Sequence, residues 1–265
     1  MSTDASFQAI MDDLKAKGGA GVTVPDGWAQ GRALYGGLVA ALAAEPMAMA
    51  LETPRPIRTL LGNFVAPAPV GELDLKTEIL REGRAVVQTR CDVMAGDQVV
   101  FAATAAFGDD RPAQGVPADF VMDAKPRDSV PPMAKGVRVL PGFLENFDVH
   151  WTGGGVPMSN TKDRKTAMWV RHKSDMSAYP IAKIVGLADM PPPVMMSHYD
   201  RPIRASSMSW SLEFVVPPQK VDTEWFYLDF TLEAAANGYS QQSGLIFAED
   251  GTLVALSRQC MVYFE

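Results

Sequence analysis

Arg55-Pro56-Ile57-Arg58 recurs as Arg201-Pro202-Ile203-Arg204, and the landmarks around each copy recur in the same order. A tyrosine opens an apolar stretch at Tyr35 and again at Tyr179. An acid follows alanine near the end of each stretch, as Ala44-Glu45 and Ala188-Asp189, and proline comes soon after. Downstream, Phe64-Val65-Ala66-Pro67 answers Phe214-Val215-Val216-Pro217, and Val99-Val100 answers Leu253-Val254. The offset drifts only from 144 at the tyrosines through 146 and 150 to 154. A chance tetrapeptide match would not bring ordered neighbours with it, so the chain reads as a duplicated unit of roughly 110 to 120 residues.

Within each copy the hydrophobic pattern predicts one helix followed by a meander of strands. Ala33 to Glu45 is continuously small and aliphatic, which suits a helix covered on nearly every side, and Pro46 is expected to end or kink it. Strands are predicted over 57–66, 73–81, 85–95 and 98–107, with turns at Glu82-Gly83 and Gly96-Asp97. In the second copy the helix is predicted over 179–190, stopped by Pro191-Pro192-Pro193. Strands are predicted over 147–151, 167–172, 204–216, 225–235, 239–248 and 252–264, the last two joined by a hairpin at Glu249-Asp250-Gly251. Before the first copy, Phe7, Ile10, Met11 and Leu14 give 2–17 the spacing of a short amphipathic helix, and 23–31 is turn-rich. A proline-, glycine- and charge-rich stretch separates the copies. The expected division is therefore 1–110, a linker over 111–145, and 146–265. An apolar helix that cannot stand alone needs a sheet curved around it, and two such units would pair their sheets.

Composition narrows the function. A net charge of -7 with pI near 5.1 argues against nucleic acid as the main partner, because phosphate binding needs a basic surface. The apolar run from Ala33 to Ala50 holds Glu45 and Pro46, so a buried helix is expected rather than a membrane span. Two cysteines, Cys91 and Cys260, and no basic then apolar leader point to a reducing, cytoplasmic setting.

The missing signatures are equally useful. There is no Gly-x-Ser-x-Gly elbow, phosphate-binding loop, Cys-x-x-Cys or His-Glu-x-x-His, and only His150, His172 and His198 occur. No cofactor or metal is expected. Gly153-Gly154-Gly155 reads as a turn, since no helix follows it directly. Asp189 falls in the last turn of its helix, where that helix's dipole should raise its pKa; it is either a solvated acid or a functional one. In the strand 204–216, strict alternation puts Ser207, Ser209, Ser211 and Glu213 on one face, usually the wet one, and Met208, Trp210, Leu212 and Phe214 on the other. Gln259 lies in the last strand, where an uncharged amide can hold a water without titrating. These polar residues face apolar ones in the first copy, about Ala105 for Gln259 and Leu60 or Leu61 for Ser207. Any active site is therefore expected in the second copy.

The matching stretches 32–42, 63–71 and 96–107, with Trp151 to Gly155, Trp169 to Arg171, Ala188-Asp189, Ser207-Met208-Ser209-Trp210-Ser211 and 250–259, resemble the TesB-like acyl-CoA thioesterases (acyl-CoA thioesterase II type). The resemblance spans nearly the whole chain. It implies an α+β double hotdog, in which each of two tandem units wraps an antiparallel sheet around a central helix. It also implies hydrolysis of acyl-CoA by a water held between an aspartate, a hydroxyl and a glutamine. By motif these are Asp189, Ser207, which stands where the best-known relatives have threonine, and Gln259. An acyl-CoA substrate and a homo-oligomer follow as further expectations. The competing readings are a non-catalytic acyl-CoA or acyl-carrier binding protein and an enoyl-CoA hydratase-like enzyme. The second of these would need a histidine paired with the aspartate, and none follows Asp189 in its helix.

Overall fold

The computed structural model describes residues 5–133 and 140–265; part of the expected linker (134–139) and the first residues of the N-terminal stretch lie outside the described residues. The first unit contains α1 (Phe7–Ala16), β1 (Gly21–Val24), a small hairpin of β2 (Ala29–Gln30) and β3 (Ala33–Leu34), α2 (Gly36–Met49), β4 (Ile57–Phe64), β5 (Gly71–Glu82), β6 (Val86–Ala95) and β7 (Gln98–Gly108). The second contains β8 (Phe147–Gly154), β9 (Lys165–His172), α3 (Pro180–Ala188), β10 (Arg204–Phe214), β11 (Phe226–Ala236), β12 (Tyr239–Ala248) and β13 (Leu253–Phe264). One eleven-stranded antiparallel sheet runs β1-β5-β6-β7-β4-β10-β13-β12-β11-β9-β8, with β4 and β10 joining the units. Each half wraps its own helix, so the fold is the α+β double hotdog.

Two differences from the sequence reading have local causes. α2 does not stop at Pro46 but carries it for a last turn to Met49. Proline removes one N–H and leaves its own carbonyl free to accept, and Ala50 N–H donates to Pro46 O at 2.9 Å. β1 runs into the start of the turn-rich stretch, at Thr23 and Val24; its four residues are too few to show a period but pair with β5.

α2 is buried along nearly its whole length because sheet and partner helix cover it on all sides. α1, the first helix in the chain, is capped by Ser6 Oγ accepting from Ala9 N–H at 3.2 Å, and it packs on β1 of the first unit while reaching the second, where the Tyr179 hydroxyl donates to Asp12 Oδ1 at 2.5 Å. Its Phe7 meets His172 edge-on at 4.9 Å between ring centres and closes the space over Gly186 of α3. One apolar core therefore runs through both units.

The stretch after β7 is a strap across the outer face of the second unit's sheet. Met122 and Ala124 cover Trp169 and Tyr227 there. Trp169 Nε1–H donates to Lys125 O at 2.9 Å, and Met133 N–H donates to Val149 O at 2.7 Å. Further on, the Trp225 ring lies between the guanidinium groups of Arg127 and Arg171, at 4.6 and 4.9 Å.

Candidate active site

The register between β4 and β10 fixes which residues of the two units correspond. Leu61 faces Ser211, and counting outward from that pair equates Leu60 with Trp210 and Ile57 with Ser207. The next strands obey the same rule, since Leu60 pairs with Ala105 and Trp210 with Gln259. Gln259 thus stands where the first unit has Ala105. Ser207 stands where it has Ile57, not Leu60 or Leu61 as the sequence offset suggested.

The direction of the Ser207 side chain is set by a β-bulge. Between Ser207 and Ser209 the ladder with β13 slips by one residue, and the same slip occurs between Ile57 and Thr59 in the first unit. A bulge inserts one residue and reverses the alternation on one side of it. Met208 is pushed outward, and Ser207 pairs with the buried Met261, which shares its face with Gln259. Ser207 is therefore on the inner face with Trp210, not on the outer face with Ser209 and Ser211. Among the described residues its hydroxyl forms no hydrogen bond with Asp189 or Gln259.

Asp189 is the C-terminal cap of α3 and is half-buried. Gln259, almost wholly buried, donates from Nε2 to Asp189 Oδ1 at 2.6 Å. The Gly37 N–H at the start of α2 lies close enough to the same carboxylate to favour its charged form. The acid of the second unit is thus seated on the first turn of the first unit's helix. The mirror arrangement exists too, for Glu45 Oε1 accepts from Ala182 N–H in the first turn of α3 at 3.0 Å.

Such close crossing demands glycine. A Cβ on Gly37 would lie 2.6 Å from Gly186 O, and one on Gly36 would lie 2.5 Å from Asp189 Oδ2 and 3.1 Å from the Phe64 ring. Tyr35, buried beneath, ties the helices together by donating from its hydroxyl to Gly186 O at 2.7 Å.

Withdrawal from water raises the Asp189 carboxyl from 3.8 to about 7, against the Gln259 hydrogen bond and the nearby Gly37 N–H, which pull it down. The direction agrees with the sequence reading but the cause differs. Asp189 lies at the end of its own helix and at the beginning of another, where that second dipole favours the anion. Burial, not the helix dipole, keeps it protonated up to neutrality. Glu45 is raised from 4.5 to about 7 for the same reason.

Sequence reasoning missed Gln242, a buried residue of β12 directly beside Gln259 in the ladder. Its Nε2 donates to Gln259 Oε1 at 2.8 Å and its Oε1 accepts from Val194 N–H at 3.1 Å. It sits within Ser240-Gln241-Gln242-Ser243, a polar run with no alternation to show which amide points inward. The corresponding residue of the first unit is Thr89, which pairs with Ala105; its buried hydroxyl has no hydrogen-bond partner among the described residues. The first unit retains an acid but none of the amides that hold it.

The pH dependence of stability tests how Glu45 is held. A carboxyl whose folded pKa is raised stabilises the fold fully below its unfolded pKa and loses that contribution as pH rises through the folded one. For Glu45 the window runs from 4.5 to about 7. Glu45→Gln, which can still accept from Ala182 N–H, is expected to flatten the fall in Tm across that window. Thermal melting over a pH series measures it.

Among the described residues no group of three or more His, Cys, Asp or Glu side chains could hold a metal ion, and no helix is long and apolar enough to cross a membrane.

Comparison with known proteins gives a consistent family. Residues 24–108 match the family model of the acyl-CoA thioesterase N-terminal domain, and residues 112–263 match that of the C-terminal domain. Solved structures share the fold over almost the entire chain. A conserved protein of unknown function with a hot dog fold from Alicyclobacillus acidocaldarius superposes with a TM-score of 0.82 at 22% identity, covering 92% of both chains. The tesB protein of Mycobacterium avium subs paratuberculosis gives 0.77 at 17%, covering 98% of this chain and 100% of that one. The acyl-CoA thioesterase II TesB2 of Mycobacterium marinum gives 0.71 at 19%, covering 92% of both. At these identities the superpositions speak for the fold alone. No curated protein matches the chain.

Proposed function

The chain belongs to the acyl-CoA thioesterase family and hydrolyses thioesters, and on that premise we propose that Asp189, Ser207 and Gln259 hold and activate the attacking water on an acyl-CoA substrate. The observation that carries the reading is the 2.6 Å hydrogen bond from Gln259 Nε2 to Asp189 Oδ1 at the crossing of the two units. An amide nitrogen has two hydrogens. One is spent on Asp189, and the other remains for a water lying beside the carboxylate.

In this reading ionised Asp189 takes a proton from that water as its oxygen bonds to the thioester carbonyl carbon. The tetrahedral intermediate then expels the thiolate with cleavage of the C–S bond. The proton held on Asp189 passes to the departing sulfur, leaving a carboxylic acid and a thiol. Ser207, turned inward by the bulge, supplies a hydroxyl on the same sheet face as Gln259 to orient the water. The oxyanion needs backbone donors. The Gly36 and Gly37 amides at the start of α2, beside Asp189, are the candidates for that task. The two free cysteines, Cys91 and Cys260, are in keeping with a cytoplasmic setting for this chemistry.

Release of free thiol from a panel of short- to long-chain acyl-CoAs tests the reading. Because the base must be ionised, kcat/KM is expected to rise through an acidic limb with its midpoint near about 7. A limb at the ordinary carboxyl value would remove Asp189 as the base. Absence of turnover at every chain length, with acyl-CoA still raising Tm, would replace hydrolysis by binding.

A further inference from the structure

We infer that Gln242 is a positioning residue for hydrolysis, one that sets the direction in which the Gln259 amide donates. The inference rests on the reading of Asp189 and Gln259 given above. Its basis is the chain of hydrogen bonds Val194 N, Gln242, Gln259, Asp189.

A free primary amide can present oxygen or nitrogen to a neighbour with almost the same shape. Gln259 faces that choice: with Asp189 ionised, as a base must be, nitrogen toward it makes a hydrogen bond, whereas oxygen toward it sets two acceptors against each other. A backbone N–H has no such freedom, because it only donates. Val194 N–H, buried behind Pro191-Pro192-Pro193 at the start of a short helical turn, therefore obliges Gln242 to present oxygen to it. Gln242 then has only its nitrogen for Gln259, at 2.8 Å, and Gln259 must answer with oxygen. Its nitrogen is thereby turned to Asp189, at 2.6 Å. The direction of the whole chain is set at its far end by a group that cannot flip.

Three further observations support a built relay. Gln242 and Gln259 are each 2% exposed, so water offers little competition for these contacts. They are direct partners in the ladder of β12 and β13, which holds the two amides side by side. The first unit has Thr89 and Ala105 at the same two places and its acid, Glu45, is held without them. The glutamine pair is therefore not a requirement of the fold.

The test is a double-substitution cycle on Gln242→Met and Gln259→Ala, read as kcat, KM and the midpoint of the acidic limb. Methionine keeps the length of the side chain and removes both hydrogen bonds. Gln242→Met is expected to lower kcat about tenfold with KM nearly unchanged, and to move the acidic limb upward as Asp189 loses a well-aimed donor. In the Gln259→Ala background the same substitution should change kcat by less than about twofold, because the residue it acts through is gone. A wild-type kcat for Gln242→Met beside a crippled Gln259→Ala overturns this inference alone, as does a full multiplicative loss in the double variant. A wild-type kcat for Gln259→Ala overturns the function proposed above and this inference with it.

Should Gln242→Met fail to fold, Gln242→Thr installs the residue that the first unit carries at the same place, Thr89. It is too short to bridge Val194 N–H and Gln259, so the direction of the Gln259 amide is no longer set. A collapse of kcat with an upward shift of the limb supports the relay, and wild-type behaviour on both readouts overturns it.

Discussion

Asp189→Asn is expected to lower kcat by roughly 10² to 10⁴-fold, the range for loss of a general base, in a protein that still folds. Asparagine has the shape of aspartate and keeps one acceptor oxygen but cannot take the proton. Two opposing effects act on stability. Asparagine has a single acceptor for the Gln259 and Gly37 donors, and leaving one unmet costs about 1 to 3 kcal/mol. Against this, the native carboxyl is raised from 3.8 to about 7, so its contribution to stability is lost as pH rises through that range, and the substitution abolishes that loss. The variant should therefore melt below the wild type in acid and approach it above neutrality. Thiol release and thermal melting on the same samples check both statements, and near-normal turnover would sink the assignment of the base.

Gly36→Ala is the second large effect, and it separates catalysis from folding. Alanine is the better helix former by about 1 kcal/mol, which favours the variant. Its new Cβ, however, lies 2.5 Å from Asp189 Oδ2 and 3.1 Å from Phe64. Phe64 is backed by Phe101 at 4.8 Å between ring centres, so the carboxylate is the group that yields. Moving it breaks the 2.6 Å bond to Gln259, and a displacement of that order costs roughly 10²-fold in kcat. Gly37→Ala collides instead with Gly186 O, a backbone atom that can move only if the helices part. It should lower stability by about 1 to 3 kcal/mol or more. A kcat loss at position 36 with little change in Tm, beside a Tm loss at position 37, is the expected pattern.

How far the sequence could be read depended on whether a feature repeats. The duplicated helix and meander were legible because two copies support each other, and the polar residues of one copy stood out against apolar ones of the other, Ala105 for Gln259 and Leu60 or Leu61 for Ser207, where the register puts Ile57 instead. The resemblance then supplied Asp189, Ser207 and Gln259 as a set. What escaped were features of register and contact. Alternation puts Ser207 on the wet face, and only the slip of the ladder at Met208 turns it inward. A bulge has no composition of its own. Gln242 was hidden in a run of four polar residues, where period carries no information. The pKa of Asp189 was expected to rise for a reason drawn from its own helix, whereas burial raises it and the helix start it abuts, 152 positions earlier at Gly37 in the other unit, acts against the rise. The separating stretch read as a linker because it is rich in proline and charge, although Met122 and Ala124 pack against the sheet.

The crossed seating of the two acids also decides where this chain is free to vary. After a duplication, the copy that stops working is ordinarily released from selection along its whole length. Here that release is partial. The strands of the first unit have Thr89, whose buried hydroxyl has no partner among the described residues, and Ala105 where the second unit has its two glutamines. The beginning of its helix has no such liberty, because Gly36 and Gly37 form the floor beneath the other copy's aspartate. Substitutions tolerated in the first unit should gather on its sheet and vanish at the two glycines, so that the silent half of the molecule is silent only in part.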